Sequence, residues 1–67
     1  MSATKVKTKV ATGRKYVIQY WNTDRDKVLS EALNAVKWID SYRSPHVDRA
    51  PYEEDNGWAI DIVYYGL

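Results

Sequence analysis

The chain of 67 residues has no cysteine and no phenylalanine, a single histidine, two prolines and three glycines. Without cysteine, neither disulfides nor thiolate metal sites can staple the fold. One histidine cannot supply an ordinary zinc ligand set. No apolar run approaches the ~20 residues needed to span a bilayer, and the first residues, Met1-Ser2-Ala3-Thr4, show no signal-peptide core. A cytoplasmic protein with no membrane role is the expectation, and a single domain over residues 1–67. A domain this short buries only about 60% of the surface of its unfolded chain, so modest stability is expected.

Charge of one sign is also lacking overall, because the net charge is +1. Its distribution is uneven. Residues 1–15 carry Lys5, Lys7, Lys9, Arg14 and Lys15 with no acid, whereas residues 46–67 set Arg49 against Asp48, Glu53, Glu54, Asp55 and Asp61. Such a dipolar chain can steer toward charged partners without being a polycation. The aromatic residues are six Tyr and three Trp, side chains that close a small core while keeping a polar edge wet and that favour interfaces.

The most regular pattern lies at residues 22–43. Val28, Leu29, Ala32, Leu33, Ala35, Val36 and Ile39 recur at helical spacing, with Trp38 at the margin of the stripe. Thr23 followed by Asp26 resembles a capping box, and Asp24 and Asp26 suit the positive end of the helix dipole. Ser44-Pro45 stops the helix, since a residue before proline avoids the α region. The expected element is about 30 Å long.

Residues 4–12 alternate strictly, with Val6, Thr8 and Val10 on one side and Lys5, Lys7 and Lys9 on the other, the period of a half-buried strand. Gly13-Arg14 makes a hairpin turn. Residues 15–21 are rich in aromatic and β-branched side chains and form a second strand. Tyr16, Ile18 and Tyr20 are its expected core set, with Val17, Gln19 and Trp21 facing away. Residues 44–57 hold both prolines and an acidic cluster and read as a long loop closing in an Asn56-Gly57 turn. Residues 58–65 form the last strand, with Trp58, Ile60, Ile62 and Tyr64 toward the helix and Ala59, Asp61, Val63 and Tyr65 away from it.

The order is therefore β-β-α-β, and the fold class is α+β. One helix covers one face of a three-stranded sheet in a two-layer sandwich. A right-handed crossover places the last strand beside the first, giving the spatial order 2-1-3 with the lysine strand in the centre. The sheet's second face is open. It is expected to carry Lys5, Lys7, Lys9, Arg14, Val17, Trp21, Asp61, Val63 and Tyr65, with Asp61 opposite one of the lysines. These apolar and charged side chains together exceed what a solvated face needs and point to a protein partner, or to a homodimer formed through the open sheet face. The acidic stretch Tyr52, Glu53, Glu54 and Asp55 is a second candidate contact.

No residues assemble a catalytic motif. His46 and Asp48 could form a base pair for proton transfer, but no nucleophile accompanies them. Residues 53–57 lack the spaced ligands of a calcium loop, and Gly13-Arg14-Lys15 is too short for a phosphate loop. A non-enzymatic protein without a cofactor or metal is expected. Nucleic-acid binding is the rival reading: alternate lysines on a sheet with Trp21, Tyr65 and Arg14 nearby are the ingredients of a stacking platform. The near-neutral total and the acidic cluster argue against it.

Residues 23–42, with Ser30-Glu31-Ala32-Leu33 and Ala35-Val36-Lys37-Trp38 following a hairpin, resemble the helix segment of small phage-encoded host-takeover proteins. Short phage inhibitors of bacterial RNA polymerase are similar in length and strand–helix order. The resemblance implies a non-catalytic inhibitor or modulator of a host protein. In such inhibitors basic strand residues contact the target, and Lys5, Lys7, Lys9 and Arg14 are the corresponding positions here.

Overall fold

A computed structural model of the chain describes residues 4–66. Its elements are β1 (Lys5–Thr12), β2 (Lys15–Asn22), α1 (Arg25–Trp38), a 3₁₀ turn (Ser41–Arg43), β3 (His46–Glu54) and β4 (Gly57–Tyr65). The class is α+β, as the sequence indicates, with one helix and an antiparallel sheet. The sheet has four strands in the order β1-β2-β4-β3, not three in the order 2-1-3. Among the described residues the lysine strand β1 pairs with β2 alone and is consequently an edge strand, and the centre belongs to β2 and β4.

The missing strand is the stretch expected to be a loop. Residues 46–54 form β3 at the other edge, and its proline is tolerated there because an edge strand needs only half of its N–H groups for pairing. β3 pairs with β4 through two register shifts, Val47/Arg49 and Arg49/Tyr52. These bulges break the alternation that would have marked it as a strand. The connection from β2 through α1 therefore lands on β3, parallel to β2, and β4 returns by a tight hairpin into the gap between them. This is a split β-α-β arrangement. The hairpin turns on Asp55 and Asn56, both with positive φ (49° and 62°), and not on Asn56-Gly57. Two left-handed central residues match the right-handed strand twist, and Asp and Asn tolerate that conformation.

The helix is shorter than the pattern suggests. Asp24, not Thr23, is its cap: one carboxylate oxygen accepts from the backbone N–H of Asp26 at 3.0 Å and of Lys27 at 3.3 Å. Asn22 prepares that start. It is buried, its Oδ1 accepts from the Asp24 N–H, and its amide donates to Thr4 at 3.0 Å. The helix closes at Trp38, where Ile39 turns extended while its N–H still reaches the Ala35 carbonyl at 3.1 Å. Ser44 then takes a left-handed conformation (φ 51°) and turns the chain into β3.

Val28 and Ala32 from α1 meet Ile60 and Ile62 from β4 in the core, with Tyr20, Leu29, Ala35, Val36, Val47 and Trp58 packed around them. Of the expected core sets, Tyr20, Trp58, Ile60 and Ile62 take part in this cluster, Tyr16, Ile18 and Tyr64 share their face by register, and Ala59 and Val63, expected to face away, are buried on the opposite side. Leu33, expected in the stripe, lies outside it and is exposed, and Val6 and Val10 are exposed on the edge strand. Tyr16 and Tyr64 stack with ring centres 5.3 Å apart, and the Arg43 guanidinium lies over Tyr64. No helix among the described residues is long and apolar enough to cross a membrane.

Replacing Asp24 by alanine leaves two N–H groups of the first turn without their acceptor. Urea unfolding of Asp24→Ala should show a loss of about 1 kcal/mol, whereas Thr23→Ala should cost less. A larger loss for Thr23→Ala would place the cap where the sequence pattern put it.

Candidate functional site

The face opposite the helix is built of rows that cross all four strands in register. Lys5, Trp21, Ala59 and Tyr52 form one row; Lys7, Gln19, Asp61 and Arg49 the next; Lys9, Val17, Val63 and His46 the third. Each row runs from a lysine on β1 to a β3 side chain. The lysines therefore flank the open face instead of occupying its middle. Asp61 lies opposite Gln19 and Arg49, not opposite a lysine.

The middle of the face is closed by its own side chains. The Tyr52 hydroxyl donates to Asp61 Oδ1 at 2.9 Å and accepts from the Gln19 amide at 2.9 Å. The same Gln19 amide donates to Glu54 Oε2 at 2.8 Å, and the Trp21 indole N–H donates to the Glu54 carbonyl at 2.7 Å. The Arg49 guanidinium covers the Tyr52 ring at 3.8 Å. These contacts join β2 to the end of β3 across the width of β4. Ala59, set in register between Trp21 and Tyr52, is fully buried, and so is Val63 between Val17 and His46. Val63 is therefore not a surface contact residue.

Gly57 explains how the end of β3 approaches β2. A Cβ there would stand 2.5 Å from the Trp21 ring, so only glycine lets the indole lie against the β4 backbone. The indole in turn carries the Lys5 ammonium 5.2 Å from its ring centre. The result is a cleft of about 350 Å³ lined by Lys5, Lys7, Gln19, Trp21, Glu54 and Asp55. Two groups of residues singled out separately in the sequence, the lysine strand and the acidic segment, thus become opposite walls of one cleft. Trp21 and Gln19 form its floor.

The remaining candidates lie elsewhere. Arg14 is in the β1–β2 turn, where its carbonyl accepts from the Gly66 N–H at 2.7 Å, and Tyr65 is an exposed residue near that same end, away from the cleft. Glu53 pairs in register with Trp58 and falls on the helix side of the sheet. Gln19 was read from the sequence only as an outward-facing polar residue, yet it holds the network together. Its outward neighbours on β2 are Val17 and Trp21, and nothing local in the sequence marks it as a hub. His46 Nδ1 lies 2.8 Å from the Ser44 carbonyl, so that nitrogen carries a proton and donates. The histidine is thereby tied to its own loop. Among the described residues no three His, Asp or Glu side chains group into a metal-binding cluster.

Burial pushes the Tyr52 hydroxyl above its ordinary pKa, with the Asp61 and Glu54 charges adding to the rise and the Gln19 hydrogen bond opposing it. Tyr20, on the helix side, is raised as well, first by burial and then by Glu31. The chemistry available at this face is polar and ionic recognition. No family model, curated protein or solved structure matches the chain.

Two consequences are measurable. The raised tyrosines favour the folded state fully below about pH 10, the ordinary tyrosine value, and that contribution is lost as pH rises through the folded-state pKa values. Denaturation midpoints should therefore be flat near neutrality and fall above pH ~10, and a Tyr20→Phe/Tyr52→Phe variant should fall less steeply than the wild type. Gly57→Ala should destabilise by about 1–3 kcal/mol because the indole must shift and release the Glu54 carbonyl. Trp21 fluorescence and urea titration report both effects, and an unchanged midpoint would mean that the indole does not rest on Gly57.

Proposed function

We propose that this chain is a small non-catalytic protein-binding module that inhibits or modulates a host protein through the open sheet face and the acidic end of the β3–β4 hairpin. The cleft supports this reading most directly. It presents two ammonium groups on one wall, two carboxylates on the other and a Trp–Gln floor between them. A polypeptide carries side chains of both signs and an amide backbone that such a floor suits. A nucleic-acid strand carries charge of one sign only, and Glu54 and Asp55 would repel its phosphates from the ground where Lys5 and Lys7 attract them. The resemblance of residues 23–42 to phage host-takeover proteins agrees with the inhibitor role.

Specific capture from bacterial lysate tests the reading when it is compared across variants that leave the fold intact. The Lys5→Glu/Lys7→Glu protein should retain its far-ultraviolet spectrum and lose the partner kept by the wild type, and Asp55→Asn should weaken retention. Fluorescence anisotropy with single- and double-stranded oligonucleotides at low and moderate salt supplies the opposing arm. Tight, salt-sensitive oligonucleotide binding with no specific protein retained would replace the protein-binding reading by the nucleic-acid one.

A further inference from the structure

The two edges of the sheet are unlike each other. β3 carries Pro51, which has no N–H to offer, and two extra residues that bend it out of register. β1 has no proline and keeps uninterrupted register with β2 over the six residues from Lys5 to Val10. Among the described residues β1 pairs with β2 alone, so the outer N–H and C=O groups from Lys5 to Val10 form a regular row, ended by a register shift between Val10 and Thr12. Along that row lysine is the protective device, and lysine protects against apolar or basic strands but not against acidic ones.

Both faces of β1 are differentiated along this edge. Lys5, Lys7 and Lys9 project on the open side of the sheet, and Val6 and Val10, 54% and 62% exposed, project on the helix side. The helix packs over β4, β2 and β3 and leaves the β1 valines uncovered. Beyond them lies a shallow, mostly apolar groove of about 440 Å³ lined by Ile18, Tyr20, Ala35, Trp38 and Ile39, with Glu31 and Asn34 on its helix side and Trp38 80% exposed.

From these features we infer that β1 is a docking strand that takes an extended acidic segment of a partner protein as a fifth strand, the segment's carboxylates alternating with apolar side chains. The inference rests on the protein-binding reading above and supplies the class of partner. In such a pairing each carboxylate faces Lys5, Lys7 or Lys9 across the new ladder, while the intervening apolar side chains cover Val6 and Val10 at the rim of the Trp38 groove. Charge complementarity selects this occupant over two others. A second copy paired through β1 would set lysine against lysine, a repulsive arrangement. A nucleic acid would use the lysines and leave the valine side and Trp38 uncovered.

The test is titration of ¹⁵N-labelled protein with a synthetic peptide matching the 8 residues of β1, alternating Glu with Val or Ile. Four control peptides accompany it: one of the same composition with the alternation scrambled, one with Lys in place of Glu, which should not bind, and two N-methylated at alternate amides, one in each phase. Shift changes should concentrate on the β1 amides and on the Trp38 indole. The Lys7→Glu variant should bind about tenfold more weakly, as should the N-methylated peptide whose blocked amides face β1. Equal binding of the scrambled peptide, shifts confined to Gln19, Trp21 and Glu54, or no binding at millimolar peptide would each overturn the inference. So would a sedimentation mass of two chains with added protection of the β1 amides in the absence of peptide. Should the peptide fail while lysate capture stays sensitive to Lys5→Glu/Lys7→Glu, the edge inference falls and the protein-binding reading stands; loss of both removes the reading itself.

Discussion

Strand β4 must be satisfied on four sides at once. It pairs with β2 and β3 along its two edges, and it buries Ile60 and Ile62 under the helix while Ala59 and Val63 are buried on the opposite face. A strand with only one covered face would leave Ala59 and Val63 wet, and their apolar surface supplies stabilisation, on the order of 25 cal/mol per Å² removed from water, that a chain of this size can hardly spare. The last strand in sequence is therefore central in space. Its position requires a partner on the far side, which β3 provides, and a cover for the second face, which Tyr52, Trp21, Gln19 and Arg49 provide.

That cover links fold to site. Tyr52 and Glu54 can reach Gln19 and Trp21 only because the bulges and the Asp55-Asn56 turn twist the end of β3 across β4, and because Gly57 offers no side chain in the way. Twisting costs regular ladder pairing at two places in β3. It gains a closed polar network in which the Tyr52 hydroxyl and the Gln19 amide each have partners, and partnered polar groups are tolerated where lone ones are not. The cleft beside Lys5 and Lys7 is a by-product of the same twist. Its acidic wall is Glu54 at the end of β3 together with Asp55 in the turn that follows.

Much of this was legible in the sequence, and the remainder failed for identifiable reasons. The alternations in residues 15–21 and 58–65 assign the correct faces because packing and period agree there. The stripe in α1 is legible for the same reason, although Leu33, in mid-helix, falls about 140° around the axis from Val28 and so outside the arc that Val28, Ala32, Ala35 and Val36 share. β3 was not legible. Its residues include Pro51, Asp48 and two consecutive glutamates, and two bulges destroy the period that periodicity analysis needs. Missing it displaced every topological conclusion downstream, since a crossover with no third edge strand has to land beside the first strand. The lysines were placed on the right face but at the wrong position within it. Gln19, the hub of the network, carries no local signature, because its two partners, Tyr52 and Glu54, arrive from a strand 33 and 35 residues away.

The sheet order also changes what the uneven charge means. Read along the chain, a basic beginning and an acidic end are only a dipole of sequence. With β1 and β3 at opposite edges they become a basic edge and an acidic edge of one sheet, the arrangement that invites head-to-tail association into open filaments. The irregular edge is the acidic one. Bulges and Pro51 deny a neighbouring β1 the continuous row of donors and acceptors it would need, so complementary charge can draw copies together without letting their backbones pair. Asymmetric blunting of this kind protects the chain from itself while the basic edge keeps regular register from Lys5 to Val10. A partner presenting an acidic strand of regular geometry meets no such obstacle, and the field of the lysine row turns that edge toward it before contact.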